Sequence, residues 1–528
     1  MASDITLKDA LSVLSKSSPQ AVEVEKSESN QNQFKEYLFI KTDIEKDFSE
    51  ALMNIQPGEI IFLCGSSGDG KSAILTRYSQ KRISEIKFHL DATHSLNPHS
   101  DAINELDKLF LDINTTQMPL VVGINVGMMG NYAEGGSEKL HEIKSSMKAH
   151  IQGNKTGPKH TFFDFERYPK FEFRDNAAHS NFAEAFLKRL TQPDDNPFLD
   201  LLHQHEMLGD ELMLCANFKL LMRPEVQRVV VEALMKARLI KDQFMTSRAL
   251  LDFIHHLLTS PQYLFDNLYA AADNELSQRI TGFDPANSRT KKIDHFILQL
   301  MLALPNSEFS EFQNALTELG IQPGLSPESY IRLFYMLQGA EFSNNYHQQF
   351  SGDFASALLQ KFARVWELHN NYSKSASKED AIELNAFYNE ILLDGLRRYM
   401  NRRAPNLKKK QYFLSEYNQV ITAAELSLKP NLIAIARSKS KHSSSFSAFL
   451  KIGEASDSEI IVNINLYELL IKLKTGYRPN KHDKSTVLIL DELVSQIIEI
   501  ANQNDQLYFI DQTVQFEVEM NDEFIQVD

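Results

Sequence analysis

The chain has 528 residues, enough for about three domains. Its 43% hydrophobic and 24% charged content is that of an ordinary globular protein, and a formal net charge of −15 excludes a protein that wraps nucleic acid over its whole surface while leaving room for a local basic patch. The two cysteines, Cys64 and Cys215, cannot build a disulfide framework or a Cys-based zinc site, and no apolar run approaches the ~18 residues of a membrane span.

In chain order, residues 7–16 read as a short amphipathic helix, 17–33 as a polar loop or arm, and Asp43 to Asn54 as a helix. The opening Met1-Ala2-Ser3-Asp4-Ile5 lacks the basic and apolar regions of a signal peptide, so a cytoplasmic location is expected. Pro57-Gly58 makes a turn, Glu59 to Cys64 reads as a buried strand, and Gly65-Ser66-Ser67-Gly68-Asp69-Gly70-Lys71-Ser72 matches G-x-x-x-x-G-K-[ST], the phosphate-binding P-loop. A helix then begins at Ala73. Strand, glycine loop and helix are what the chemistry needs. The backbone from Gly65 to Ala73 can curl its N–H groups around phosphate oxygens at the positive end of a helix. Lys71 is expected to reach the β/γ-phosphates and the Ser72 hydroxyl to hold Mg²⁺. Cys64 ends the entering strand and reads as core.

Three more strands are expected: Lys87–Asp91, Pro119–Asn125 and Thr161–Glu166, separated by helices over Ser100–Asp112 and Glu138–Ile151. The continuous apolar run Leu120-Val121-Val122 marks a strand buried on both faces, and the βαβα alternation implies a parallel sheet covered by helices. From Asn181 to Met400 the period becomes 3.6, with helices such as Val226–Leu239, Ser247–Leu258 and Phe354–Asn371. Beyond about residue 411 the reading is strands over Leu426–Arg437 and Glu459–Asn465, a helix over Leu466–Lys474, and a hairpin of Leu507–Asp511 with Val514–Glu519. The expected fold class is α/β plus α. It comprises an N-terminal helix and arm (1–35), a P-loop NTPase domain with a parallel sheet (36–205), a helical lid and middle domain (206–410) and a small C-terminal α+β domain (411–528). No internal repeat is present.

Hydrolysis needs a carboxylate for Mg²⁺ or water. Val487-Leu488-Ile489-Leu490-Asp491-Glu492 resembles an apolar strand ending in two acids, but Val487, Leu490, Val494, Ile497 and Ala501 recur at helical spacing, so a surface helix is the better reading. Strand order would put the acid on the third strand, which instead ends in Asn125. Asn125 could orient an attacking water. The carboxylate would then come from Asp91, a candidate Mg²⁺ ligand with Ser72, or from Asp164 and Glu166; the alternative is that each caps a strand end. Thr246 can N-cap a helix that carries Arg248 in its first turn, against the dipole. AAA+-type ATPases place a nucleotide-sensing Arg there, and an internal salt bridge is the competing reading. Arg397, Arg398, Arg402, Arg403, Lys408, Lys409 and Lys410 form a run free of acids, and Arg437, Lys439 and Lys441 a smaller one. Both could meet DNA phosphates or an acidic protein. No H-E-x-x-H occurs; His203, His205 and Glu206 lack a matching ligand set. Asp69 breaks a G-x-S-x-G reading around Ser67, and no Asn-Lys-x-Asp motif reads guanine, which favours ATP.

Several stretches carry a family resemblance: Asp9 to Ser18, Phe62 to Ser72, Phe88-His89-Leu90-Asp91-Ala92-Thr93-His94, Val121 to Met128, and Gly476-Tyr477-Arg478-Pro479-Asn480. In these the chain resembles the DptF (DndF) family of DNA phosphorothioation-dependent restriction proteins over almost its full length. The resemblance implies an ATPase subunit of a bacterial defence complex, with DptG- and DptH-like partners. Such a complex attacks DNA lacking sulfur in place of a non-bridging phosphate oxygen. No nuclease-like cluster of acids with a paired Lys is apparent, which fits a motor or switch subunit. A nucleotide-dependent scaffold, or a signalling NTPase of STAND or AAA+ type with little turnover, is the alternative.

Overall fold

The computed structural model describes residues 5–15, 32–82, 85–92, 101–241, 243, 245–271, 275–354, 357–373, 377–438, 444–453, 456–503, 506–511, 514–521 and 524–527. The chain divides into two compact units. One comprises Met1–Lys170, Ser180–Ala237 and Gln243–Ala355; the other comprises Phe171–His179, Arg238–Asp242 and Ser356–Asp528. The break near residue 355 lies inside the 206–410 segment expected to be one helical domain. Among the described residues no helix is long and apolar enough to cross a membrane.

The first unit opens with helices α1 (Leu7–Leu11), α2 (Asn32–Tyr37) and α3 (Asp43–Asn54). A parallel α/β segment follows: β1 (Ile60–Cys64), α4 (Lys71–Arg82), β2 (Lys87–His89), α5 (Ala102–Thr116), β3 (Leu120–Ile124), α6 (Val126–Gly135), α7 (His141–Ile151) and β4 (His160–Asp164). The sheet order is β2-β3-β1-β4, every pair parallel. Because β1 is flanked on both edges and covered on both faces, its five residues are all buried. Phe62 and Cys64 point into a core with Phe110 of α5, Tyr132 of α6 and Met147 of α7. Ile61 and Leu63 point the other way, onto Ile44 and Phe48 of α3 and Leu75 of α4. The four-residue spacing of Ile44, Phe48 and Leu52 is what turns one face of α3 to the sheet.

The sequence missed α6. Its glycines, Gly127 and Gly130, disfavour helix, but Asn125 supplies an N-cap whose side chain accepts from the Met128 N–H. After β4 the unit is helical, with α8 (Asn181–Thr191), α9 (Pro197–Leu208), α10 (Leu212–Leu221), α11 (Pro224–Ile240, which runs past the unit's edge) and α12 (Ser247–Thr259), then helices over Lys291–Met301 and Pro327–Met336.

The second unit holds a small hairpin, β5 (Glu172–Arg174) with β6 (Ala177–His179), helices over Ala357–Asn371 and Ile464–Lys474, and two antiparallel sheets. One sheet joins β7 (Gln411–Tyr417), β8 (Val420–Glu425), β12 (Gln506–Asp511), β13 (Val514–Asn521) and β14 (Phe524–Val527). The other joins β9 (Leu428–Pro430), β10 (Ser445–Ile452) and β11 (Ser456–Asn463). The expected strand over Leu426–Arg437 is corrected. Only Leu428–Pro430 is extended, and Leu432–Arg437 is a helix capped by Asn431, whose side chain accepts from the Ala434 N–H at 3.1 Å. A short apolar run does not tell strand from buried helix; the cap decides it. Val487 to Glu492 lies within a helix, Lys484–Ala501, as the spacing predicts; of the expected face it buries Leu490, Ile497 and Ala501, with Leu493 buried in place of the expected Val494.

Candidate functional site

The glycine loop sits where β1 ends and α4 begins, at the carboxyl edge of the parallel sheet, where open α/β sheets bind ligands. Gly68 and Gly70 take φ of +85° and +108°, a region costly for other residues, and a Cβ on Gly70 would meet nothing within 4 Å. The helix starts at Lys71, two residues earlier than expected. Its first internal bond is Ile74 N–H to the Gly70 carbonyl at 3.1 Å. The amides of Lys71, Ser72 and Ala73 precede that bond, in the turn where no intrahelical acceptor reaches, and Ser72 is exposed there. Open N–H groups at a helix N-terminus bind anions.

Within the loop, Lys71 donates to the carbonyls of Gly65 at 2.7 Å and Ser66 at 2.8 Å. Burial lowers the pKa of its ammonium, and the Asp69 and Asp91 carboxylates work against that. Asp69 is buried; one carboxylate oxygen accepts the Ser66 N–H at 2.7 Å, and the other accepts the Lys170 ammonium. Lys170 also donates to the Met245 carbonyl at 2.8 Å. That carbonyl lies just ahead of α12, whose N-cap is Thr246, accepting from the Ala249 N–H at 3.1 Å as the sequence predicts. The start of α12 rests on the loop: the Arg248 N–H donates to the Gly68 carbonyl at 3.3 Å, and the Ser247 hydroxyl to the Asp69 carbonyl at 3.4 Å. Sequence reasoning missed Lys170 altogether, because a lone Lys 101 residues downstream matches no motif.

The acid and amide candidates gather at the same edge. In register, Cys64 of β1 lies between Ile124 of β3 and Asp164 of β4, so Gly65 and Asn125 leave the sheet side by side; the Gly65 N–H donates to the Ile124 carbonyl at 3.3 Å. Residues 90–92 continue beyond β2 alongside β3, with the Ala92 N–H donating to the Gly123 carbonyl at 2.8 Å. A Cβ on Gly123 would lie 2.5 Å from the Leu90 carbonyl oxygen, so only glycine permits this approach, and it sets Asp91 exposed at the edge. Asn125 is half-buried, its oxygen 2.6 Å from the Met128 N–H.

The Asp164 carboxylate already has partners of its own. It is buried and accepts from His150 Nε2 at 3.1 Å and from the Glu166 N–H at 3.0 Å. Burial opposes its charge, but these two bonds and Arg167 hold its carboxyl below the ordinary value. Glu166 is exposed. Cys64 is fully buried, and burial pushes its thiol up, as befits core.

In the second unit, Arg397 and Arg398 of the basic run pair with Asp394 at 3.1 and 2.9 Å, and Arg402 lies over the Tyr399 ring. Arg403, Lys408, Lys409 and Lys410 are exposed. Lys439, Lys441, Thr93 and His94 lie outside the described residues. His205 accepts the Leu7 N–H at 3.2 Å and pairs with Asp210, a structural use. Among the described residues no three His, Cys, Asp or Glu side chains gather to hold a metal ion. Mg²⁺ does not require such a group, since it binds through one or two protein oxygens together with phosphates. No family model, no curated protein and no solved structure matches this chain.

Proposed function

We propose that the chain is a P-loop ATPase and the nucleotide-driven subunit of a bacterial DNA restriction complex that acts on DNA lacking phosphorothioate. One observation carries the nucleotide reading: a glycine loop with open helix-terminal amides, with Asp91, Asn125 and the start of α12 brought to it. The residues fit MgATP. Within the loop from Gly65 to Ala73, the amides of Gly65, Ser66 and Asp69 are bonded inside the protein; those of Lys71, Ser72 and Ala73 would cradle the phosphates, and Lys71 would exchange the Gly65 and Ser66 carbonyls for phosphate oxygens. Ser72 and Asp91 would hold Mg²⁺, which neutralises charge on the phosphates. Asp164 and Glu166 are the weaker candidates for that carboxylate, given the partners Asp164 already has. Arg248 would sense the terminal phosphate and move α12 with it.

The restriction role rests on the DptF-like stretches, and with it the DptG- and DptH-like partners. Direct DNA contact through Arg397–Lys410 is a further part of the proposal. Calorimetry with MgATP tests the site: the wild-type chain takes up nucleotide and Lys71→Ala does not, at unchanged thermal stability. Loss of restriction of unmodified DNA in cells carrying Lys71→Ala tests the role. Uptake by Lys71→Ala equal to wild type would refute the first, and full restriction the second.

A scaffold that binds ATP with little turnover is the second reading. It is favoured by Asn125, rather than an acid, following β3, with its oxygen bonded to the Met128 N–H. Phosphate release in the presence of DNA and partner subunits separates the two.

A further inference from the structure

We propose that Lys170 is a positioning residue of the nucleotide site, one that neutralises the Asp69 carboxylate inside the glycine loop and so keeps the loop receptive to polyphosphate. The inference rests on the nucleotide reading above. Asp69 occupies the loop between the two positive-φ glycines. Its side chain is only 4% exposed, and it accepts from the Ser66 N–H and from Lys170. A buried carboxylate among amides meant for phosphate has two opposed effects. Its bond to Ser66 braces the turn, while its charge repels the anion the turn is to hold. Lys170, itself 25% exposed, settles the conflict by cancelling that charge without taking the carboxylate off Ser66.

The same ammonium donates to the Met245 carbonyl, one residue before the cap of α12. The charge that makes the loop tolerable to phosphate therefore also ties down the helix that bears Arg248. Losing Lys170 leaves the acid buried and uncompensated, whereas losing both charges removes the repulsion.

The test is a double-mutant cycle on the full-length chain, read by calorimetric titration with MgATP. Lys170→Met weakens ATP binding about tenfold or more, and adding Asp69→Asn to it restores affinity to within about threefold of wild type. A merely structural pair would also suffer more from losing one partner than from losing both, but it would show this in the thermal melt and leave the ATP affinity of the folded variants unchanged. ATP affinity in Lys170→Met equal to wild type, or a double variant no better than Lys170→Met, overturns the proposal. If Lys170→Met does not fold, Asp69→Asn alone decides. It leaves Lys170 unopposed beside the phosphates and binds ATP at least as tightly as wild type; weaker binding overturns the proposal. Absence of ATP uptake by the wild-type chain would instead refute the nucleotide reading itself.

Discussion

The backbone N–H of Arg248 donates to the carbonyl of Gly68 across 3.3 Å, joining the first turn of α12 to the tip of the glycine loop. The bond uses the Arg248 backbone, and among the described residues the guanidinium meets no hydrogen-bond or ion-pair partner. That removes the salt-bridge explanation for an Arg in a helix's first turn, where it opposes the dipole. Arg248→Ala should lower ATP turnover by about tenfold or more and bring ATP and ADP affinities together, while changing stability by no more than about 0.5 kcal/mol. Paired ATP and ADP titrations with a thermal melt check this. An unchanged preference for ATP would leave Arg248 without a sensing role.

Gly123 is the tightest point of the sheet edge. An added Cβ would lie 2.5 Å from both the Leu90 carbonyl oxygen and a Leu75 methyl. Gly123→Ala should therefore cost about 1–3 kcal/mol through overpacking and displace the segment carrying Asp91. Urea unfolding reads the first effect and Mg²⁺-dependent ATP affinity the second. A variant as stable as wild type would show that the backbone yields easily here.

In the second unit, His369 is buried, stacks on Phe446 at a centroid distance of 4.3 Å, and has no partner for Nε2 among the described residues. Burial brings its pKa down to about 3. The unfolded chain, with a His near 6.5, binds the proton more readily than the folded one. Stability is thus fully present above about pH 6.5 and falls by up to about 1.4 kcal/mol per pH unit as pH drops toward 3. His369→Phe keeps the stacking and removes this slope. Urea midpoints at pH 7.5 and 5 should converge in the variant relative to wild type.

The exposed cations Arg403, Lys408 and Lys409 can be neutralised without touching the Asp394 pairs. Changing all three to Gln should weaken DNA binding at every sequence and flatten its salt dependence by about 0.9 log units per lost phosphate contact. Fluorescence anisotropy across a salt series measures both. Equal slopes for wild type and variant would exclude this surface from DNA contact.

The sheet and loop were legible because their signals are local. A five-residue buried run enters the loop, and the glycines the turn requires follow at once. The helix over Lys484–Ala501 was legible from its spacing, despite the strand-like text of Val487–Glu492. What escaped depends on partners far along the chain or on caps that override composition. Lys170 acquires its meaning only when the backbone brings it to Asp69, 101 residues earlier. Asn125 and Asn431 begin helices in stretches whose glycines or β-branched residues suggested otherwise. The hairpin of β7 and β8 turns through Asn418 and Gln419, both at positive φ, without the glycine that normally announces such a turn.

The cap on α6 has a last consequence. With its oxygen bonded to the Met128 N–H, the Asn125 amide is held against flipping, and its two N–H hydrogens are the donors left at the sheet edge. A guest that accepted from them would present oxygens. An aspartate there would cap the helix equally well and offer no such donors, parting the residue's duty to the fold from its duty to whatever the edge receives.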